Sequence, residues 1–361
     1  MAMGIERKKI AILCNYRLVP ERIGGMDFFF GLFDQKCSAN MIDVDWFFPN
    51  SAQHGAYSKM NIIGTGDEPE RFFLAYCKEQ SPGYVQIITH FIGLCTPFFK
   101  TLKQLTNARI IAVDHNPRPI EGYPLRKRVE KRIKGLLFSR YIDCFVGVSE
   151  YTVQELSKDF GSQLSRKTIR IYNGVLIDGI KRHEYRKERE PLFMVASHLR
   201  ESKGIQDLIA AVALLPDTVK MKLKIDVYGD GPYGVVLRDK VNSYKLADVF
   251  SFKGNSPDLK SIYCHYDYML QPTHMECFSL SILESLAANV PVITTNVGGN
   301  KEIIESGKNG FIYSVKDIVA LKNLILDLFS GEINITTETT SLIEEGFSLE
   351  LMVTNHFKLL S

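Results

Sequence analysis

Short apolar segments alternate with stretches of helical spacing along this 361-residue chain, and this alternation limits the folds that the chain can adopt. Twelve of the segments have the length and composition of buried β-strands. They are Lys9–Cys14, Ile42–Phe47, Val85–His90, Arg109–Val113, Cys144–Val148, Thr168–Ile171, Leu192–Ala196, Lys222–Tyr228, Val249–Phe252, Tyr268–Leu270, Pro291–Thr294 and Gly310–Tyr313. Strands that alternate with helices form parallel sheets covered on both faces. Twelve strands exceed one ordinary doubly wound sheet, so the pattern predicts an α/β chain with two Rossmann-like domains.

A charged stretch, Lys181–Glu190, separates the two predicted domains. It is most simply a solvated linker, because a new apolar strand begins directly after it. We therefore place an N-terminal domain at residues 1–178, the linker at 179–191 and a C-terminal domain at 192–345. Apolar residues at helical spacing predict a final helix within 346–361.

Composition excludes several classes of protein. The net charge is only +3, which argues against a nucleic-acid partner. No apolar run reaches the roughly 18 residues that a membrane-spanning helix needs. The seven cysteines show no CxxC pair and no Cys/His cluster, which favours reduced thiols. We expect a cytoplasmic protein.

Ligands of open parallel sheets bind beyond the carboxyl ends of the strands, so the loops at these ends matter most. One such loop reads Gly229-Asp-Gly-Pro-Tyr-Gly234 and formally matches the dinucleotide fingerprint G-x-G-x-x-G. Pro232 lies inside the loop, and Lys253 rather than an acidic residue follows the next strand. Both features argue against dinucleotide binding.

Two carboxylates, Glu276 and Glu284, stand on either side of a predicted strand-to-helix turn. The start of a helix between them offers free N–H groups to a phosphate. If all the steps were helical, the pair would lie about 12 Å apart along the axis, whereas hydrolase carboxylates lie about 5–10 Å apart. The spacing favours a clamp on an extended, hydroxyl-rich ligand such as a nucleotide-sugar, and a capping box, Ser281-x-x-Glu284, is the simpler alternative.

This region resembles the Glu-x7-Glu motif of the retaining glycosyltransferases of family 4, which have the GT-B fold. The flanking sequences Leu283-Glu-Ser-Leu-Ala and Pro291-Val-Ile match the family too, as do Lys203-Gly and Gly298-Gly. The resemblance implies two Rossmann-like domains facing a central cleft, with a C-terminal helix that returns to the N-terminal domain. It implies transfer of a sugar from a nucleoside diphosphate, with UDP favoured, to an acceptor hydroxyl with retention of configuration.

The resemblance also assigns roles to residues of the second half. Glu276 would bind hydroxyls of the donor sugar, Glu284 those of the ribose, and Lys203 the diphosphate. The family has an arginine where this chain has His198, and Arg200 lies two residues later, so either residue is a candidate for the second cation. The remaining donor-side candidates are Gly25, Gly229, Lys253, Phe278, Ser279 and Leu280.

In the first half the resemblance is looser. It places His115 opposite the donor sugar, as a third catalytic candidate beside Glu276 and Lys203. The acceptor-side candidates are Gly24, His90 and Asn116, and the acceptor itself is expected to be a saccharide or a lipid-linked saccharide.

No metal or other cofactor is expected. Asp43-Val-Asp45 formally matches the Asp-x-Asp metal signature of a different glycosyltransferase fold, but it lies within a predicted strand, and we interpret it as a false match. Cationic side chains and a helix dipole can stabilise a departing diphosphate in place of a metal.

A basic amphipathic helix is predicted around Arg126–Lys134. It either contacts an anionic membrane that carries the acceptor, on the inner face of the plasma membrane, or is simply solvated. The leading hypothesis is therefore a hexosyltransferase of polysaccharide or glycolipid assembly. A nucleotide-sugar epimerase on the same fold and a non-catalytic sugar-nucleotide binder remain as alternatives.

Overall fold

A computed structural model describes residues 7–19, 23–184 and 190–361. These residues divide into two compact units. The first comprises the described residues up to 173 together with 349–361, and the second comprises the described residues from 174 to 348. The centre of the predicted linker, residues 185–189, lies outside the described residues.

The first unit contains a seven-stranded sheet in which every neighbouring pair of strands is parallel. Its strands are β1 (Lys8–Cys14), β2 (Ile42–Phe48), β3 (Asn61–Gly64), β4 (Gln86–His90), β5 (Arg109–Asp114), β6 (Cys144–Gly147) and β7 (Thr168–Arg170). Their spatial order is β3-β2-β1-β4-β5-β6-β7. The connecting helices are α1 (Gly25–Ala39), α2 (Pro69–Gln80), α3 (Pro97–Leu105), α4 (Leu125–Phe138) and α5 (Glu150–Phe160).

The second unit repeats this plan with six parallel strands. They are β8 (Phe193–Ala196), β9 (Ile225–Tyr228), β10 (Phe250–Gly254), β11 (Tyr268–Gln271), β12 (Val292–Thr295) and β13 (Gly310–Tyr313), in the order β10-β9-β8-β11-β12-β13. The helices are α6 (Ile205–Ala213), α7 (Asp217–Lys220), α8 (Gly234–Ser243), α9 (Leu259–Ile262), α10 (Leu280–Ala287), α11 (Asn300–Ile303), α12 (Ile318–Ser330) and α13 (Thr340–Gly346).

The predicted fold class, two doubly wound parallel-sheet domains, is confirmed, and each predicted strand is present within a few residues of its expected bounds. The sequence analysis missed β3. This strand has only four residues, lies at the edge of its sheet and is partly exposed, so it shows neither a long apolar run nor a clear alternation.

The last helix, α14 (Leu349–Phe357), belongs to the first unit although it follows the second unit in the chain. It packs on α1, where Lys36 Nζ donates a hydrogen bond of 3.1 Å to Thr354 Oγ1. The carbonyl of Leu359 then accepts from Gln86 Nε2 at 2.8 Å. The chain therefore returns to its N-terminal sheet, as the resemblance implied.

Candidate active site

The topological switch point of the second sheet lies between β8 and β11. These strands are neighbours, but the chain leaves β8 toward β9 on one side and leaves β11 toward β12 on the other. The loops that follow the two strands therefore diverge and leave a crevice at the carboxyl edge, which is the usual place of a ligand in such a sheet. They contain Lys203 and Glu276.

An ion pair joins these two loops. Lys203 Nζ lies 2.7 Å from Glu276 Oε2, and the two side chains are only 22% and 16% exposed. Lys203 ends a short 3₁₀ turn that continues through Gly204, at φ +69°, into α6. Two residues that are 73 positions apart in the chain are thus held together at the switch point, as a cation and an anion in limited contact with water.

Glycines allow the backbones of these loops to touch. A Cβ atom on Gly298 would lie 1.9 Å from the carbonyl oxygen of Glu276, and one on Gly204 would lie 1.8 Å from that of Pro272. A Cβ atom on Gly229 would lie 1.9 Å from the carbonyl oxygen of Ser197. Atoms at such separations overlap, so only glycine fits these three positions. The loops after four strands therefore form one backbone-packed layer around the ion pair.

The start of α10 closes the crevice on one side. Ser279 is its N-cap, and the Ser279 hydroxyl accepts from the Ile282 amide at 3.4 Å. Gln271, buried at the end of β11, donates to the hydroxyl oxygens of Ser279 at 2.6 Å and Ser281 at 2.9 Å. These contacts fix the start of α10 at its N-cap Ser279, next to the buried Phe278. The positive end of the helix dipole thus lies three residues after Glu276 in the chain.

Glu284 lies one turn into α10, and the buried Tyr263 donates a hydrogen bond of 3.0 Å to its Oε2. Burial raises the pKa of Glu284, whereas this hydrogen bond and the charge of Lys260 act in the opposite direction. Burial likewise lowers the pKa of Lys260. A carboxylate fixed by a tyrosine is a preformed acceptor for a pair of hydroxyls, and the sequence analysis did not find Tyr263, because nothing in the local pattern links it to Glu284.

The other donor-side candidates lie at the edges of this layer. His198 and Arg200 are both exposed, and the Arg200 amide donates to the His198 carbonyl at 2.9 Å. Lys253 lies 3.4 Å from Asp226 on the neighbouring strand. The amide of Gly229 donates to the carbonyl of Gly254 at 2.8 Å, which joins the loop after β9 to the end of β10.

His274 is a further polar residue of the crevice that the sequence analysis missed. Its Nε2 lies 2.6 Å from Asp207 Oδ2, and its backbone amide donates to Ser202 at 2.8 Å. It thus joins the loop after β11 to α6 and to the turn that contains Lys203.

In the first unit, His90 and His115 lie together at the carboxyl ends of β4 and β5. His90 Nδ1 is 3.0 Å from His115 Nε2, and the ring of Phe91 stacks on His115 at 4.3 Å. His356 of α14, which the sequence analysis did not single out, has its ring 6.1 Å from that of His90. Burial lowers the pKa of His115 to about 3 and that of His356 to about 4, and it also lowers that of His90. All three imidazoles are therefore neutral at neutral pH.

The Gly24-Gly25 loop is already occupied by a carboxylate of this chain. The Gly24 amide donates to Asp27 Oδ2 at 2.9 Å, and the hydroxyl of Tyr16 donates to the same oxygen at 3.0 Å. The hydroxyl of Tyr57 also bonds to Asp27, which is fully buried. The backbone amide at the start of α1 thus already binds a carboxylate of the chain itself.

No group of three or more His, Cys, Asp or Glu side chains is placed to hold a metal ion among the residues that the structure describes. Asp43 pairs with Arg7 at 3.0 Å, and Asp45 is buried and pairs with Lys9 at 2.8 Å. Both carboxylates of the Asp-x-Asp sequence are therefore used in contacts within the first unit. In the described ranges, no helix has the length and apolarity to cross a membrane.

Comparison with known proteins shows which proteins this chain resembles. Residues 178–346 match the model of the family described as glycosyl transferases group 1. Over 145 residues the chain is 30% identical to the N-acetyl-alpha-D-glucosaminyl L-malate synthase of Bacillus anthracis, a match that covers 40% of this chain and 38% of that relative. The matched region is thus well under two thirds of the relative's length.

Solved structures extend the likeness to the whole chain. The HepE protein of Anabaena, solved in complex with UDP, has a TM-score of 0.75 at 17% identity and covers 98% of this chain and 99% of its own. The sucrose-phosphate synthase of Thermosynechococcus elongatus has a TM-score of 0.78 at 18% identity and covers 98% of both chains. Over residues 178–346 this chain is therefore similar to the glycosyl transferases of group 1, and the chain as a whole has the fold of the GT-B glycosyltransferases.

Proposed function

We propose that this protein transfers a hexosyl unit from a UDP-sugar to an acceptor hydroxyl with retention of configuration. The observation that carries the proposal is the Lys203–Glu276 ion pair at the switch point. The capped start of α10 follows Glu276 in the chain, and Glu284 lies one turn into that helix. In this layer, a cation and helix amides are available to a diphosphate. On each side of the diphosphate, one carboxylate is available to the hydroxyls of the ligand. The UDP bound by the HepE protein supports the choice of nucleotide.

In the proposed reaction, the acceptor hydroxyl attacks the anomeric carbon while the bond from that carbon to the donor phosphate oxygen breaks. Lys203 and the first-turn amides of α10 stabilise the negative charge that develops on the departing UDP. The proton of the acceptor hydroxyl passes to a phosphate oxygen of the leaving group. Glu276 binds sugar hydroxyls and so fixes the ring. No residue is assigned as a nucleophile, and the reaction is proposed to be independent of metal ions.

The first test is binding of UDP, with a substitution of the proposed ribose clamp. Glu284→Gln should weaken UDP binding about 10-fold or more, because a hydrogen bond to a charged acceptor contributes about 1.5–3 kcal/mol. Isothermal titration calorimetry in the presence of EDTA measures the affinity. For the wild type the affinity should fall as the pH drops toward the raised pKa of Glu284, since the protonated carboxyl accepts fewer hydrogen bonds.

Two variants make this test specific. Tyr263→Phe removes only the hydroxyl that fixes Glu284 and should weaken UDP binding less than Glu284→Gln does. Glu345→Gln, an exposed carboxylate outside the crevice, should leave it unchanged. A Glu284→Gln protein that binds UDP as the wild type does would refute the clamp.

A panel of UDP-sugars separates transfer from the two alternative functions. An epimerase converts its donor without an acceptor, and a non-catalytic binder releases no UDP from any donor. Release of UDP that increases with an acceptor supports transfer.

We further propose that α4 contacts an anionic membrane surface. Leu125, Val129, Ile133 and Leu136 lie on one face of this helix and are 75%, 50%, 51% and 71% exposed. Arg128 and Arg132 flank this face, and the helix carries six basic residues against one acidic residue. An exposed apolar stripe with flanking cations is the pattern of a helix that lies in the membrane interface.

Retention by lipid vesicles tests this contact. The protein should sediment with vesicles of phosphatidylglycerol and phosphatidylcholine at low salt. The double variant Leu125→Gln/Leu136→Gln should reduce the bound fraction at least about 10-fold, because each leucine buried in the membrane contributes about 1.5–3 kcal/mol. Val235→Gln removes an apolar side chain of α8 that is 70% exposed and serves as the control. Equal retention of all three proteins would exclude this contact.

A further inference from the structure

A second cavity opens at the carboxyl edge of the first sheet. Its volume is about 420 Å³, and it lies between the loops that follow β4 and β5 and the inward face of α4. Gly93 and Thr96 line it from the first loop, and Asn116 and Arg118 line it from the second. None of the residues placed in the donor crevice takes part in it.

Cations dominate the wall formed by α4. Lys127, Lys131 and Lys134 line the cavity at intervals of four and three residues, which places them on one face of the helix. This face is opposite the exposed apolar face of α4. Beneath them the buried Arg118 lies 2.7 Å from Asp114 and 2.9 Å from Asp159.

The charged side chains around the cavity include one more cation than carboxylates. Asp114 and Asp159 pair with Arg118, Asp159 also pairs with Lys131 at 3.0 Å, and Glu130 pairs with Lys134 at 2.6 Å. Four cations thus face three carboxylates. Lys127 is the cation with no carboxylate within ion-pair distance, as far as the described residues show.

Two ammonium groups also converge on one aromatic ring. Lys127 Nζ lies 4.7 Å and Lys131 Nζ lies 4.3 Å from the centre of the Tyr123 ring. Two like charges near one ring repel one another, and of the two lysines only Lys131 has a carboxylate partner among the described residues to offset the repulsion. A bound anion that contacts both ammonium groups would remove this cost.

A neutral donor completes the lining. The Thr96 hydroxyl, in the loop before α3, is buried and has no hydrogen-bond partner within the described part of the chain. A buried hydroxyl without a partner is costly, and a ligand oxygen in the cavity would satisfy it.

We propose that this cavity binds a phosphate or diphosphate group of the acceptor. Several converging cations and a hydroxyl donor suit the many oxygens of such a group, and the volume leaves room for an attached sugar. This inference rests on the proposed glycosyl transfer and names the acceptor as a phosphate-bearing saccharide. The phosphate belongs either to a lipid-linked saccharide or to a soluble sugar phosphate.

Binding of inorganic pyrophosphate to the protein saturated with UDP tests the cavity, because UDP then occupies the donor crevice. Calorimetry should show one further site for pyrophosphate. Lys127→Gln should weaken this binding at least about 10-fold, whereas Arg128→Gln, which removes the same charge from the next position outside the cavity lining, should change it less than about twofold. Thr96→Val should also weaken it.

Two further measurements identify the source of the phosphate. Retention on phosphatidylcholine vesicles that depends on added polyprenyl diphosphate and on Lys127 assigns a lipid-linked acceptor. Binding of glucose 1-phosphate that depends on Lys127, without such retention, assigns a soluble one.

The outcomes separate this inference from the proposed function. The anion site is refuted if UDP binds but pyrophosphate does not bind at a second site. It is also refuted if Lys127→Gln and Arg128→Gln weaken pyrophosphate binding equally. In both cases the proposed glycosyl transfer is unaffected. If UDP does not bind at all, the proposed function fails, and the acceptor role fails with it.

Discussion

Replacement of Glu276 by glutamine is expected to lower kcat/KM for UDP release from the donor sugar by about 100-fold or more while the protein stays folded. Glutamine keeps the shape of the side chain but removes the charge that pairs with Lys203 at 2.7 Å. Charge-assisted hydrogen bonds to the sugar hydroxyls are lost at the same time. A loss of about 3 kcal/mol of transition-state stabilisation corresponds to a factor of more than 100.

The fold should tolerate this change. The Lys203 side chain retains 22% exposure, so its ammonium group can turn toward water when its partner is neutral, and we expect a destabilisation of about 1 kcal/mol or less. Glu305→Gln is the matched control, because it neutralises an exposed carboxylate that pairs with Lys308 on the surface of the same unit. UDP release at the wild-type rate by Glu276→Gln would remove Glu276 from the mechanism.

The sequence predicted the two sheets because each strand shows its own local signal. The run before Glu276 and the run at Pro291 are apolar and short, and helical spacing separates them. The rule that ligands lie at the carboxyl ends of parallel strands then selected the loops with Lys203 and Glu276. In the structure the side chains of these two residues lie 2.7 Å apart.

Contacts without a local signal were not predictable. His356 lies in a helix near the end of the chain, and only the return of α14 to the first unit brings its ring near that of His90. Tyr263 contacts Glu284 through a hydroxyl, and its surroundings in the sequence resemble any other helix end. Lys127 was recognised as part of a basic helix, but the sequence does not show which face of that helix turns inward.

Gly298→Ala is expected to be the most destabilising of the single substitutions considered for the second unit. The φ angle of Gly298 is +57°, which costs a non-glycine residue about 1–2 kcal/mol. In addition, the new Cβ atom would lie 1.9 Å from the carbonyl oxygen of Glu276, a backbone atom that cannot rotate away. We expect a total loss of about 3 kcal/mol or more in the free energy of unfolding, measured by urea denaturation.

The chain offers a control that separates strain from collision. Gly331 has a similar φ of +76°, but no atom lies within 4 Å of the Cβ that alanine would add there. Gly331→Ala should therefore cost only the backbone strain of about 1–2 kcal/mol and leave UDP binding unchanged. Gly298→Ala can relieve its collision only by displacing the loop that carries Glu276, so UDP release should fall with stability. If the two variants lose the same stability and Gly298→Ala keeps full activity, the packing of the Gly298 turn on Glu276 does not position the carboxylate.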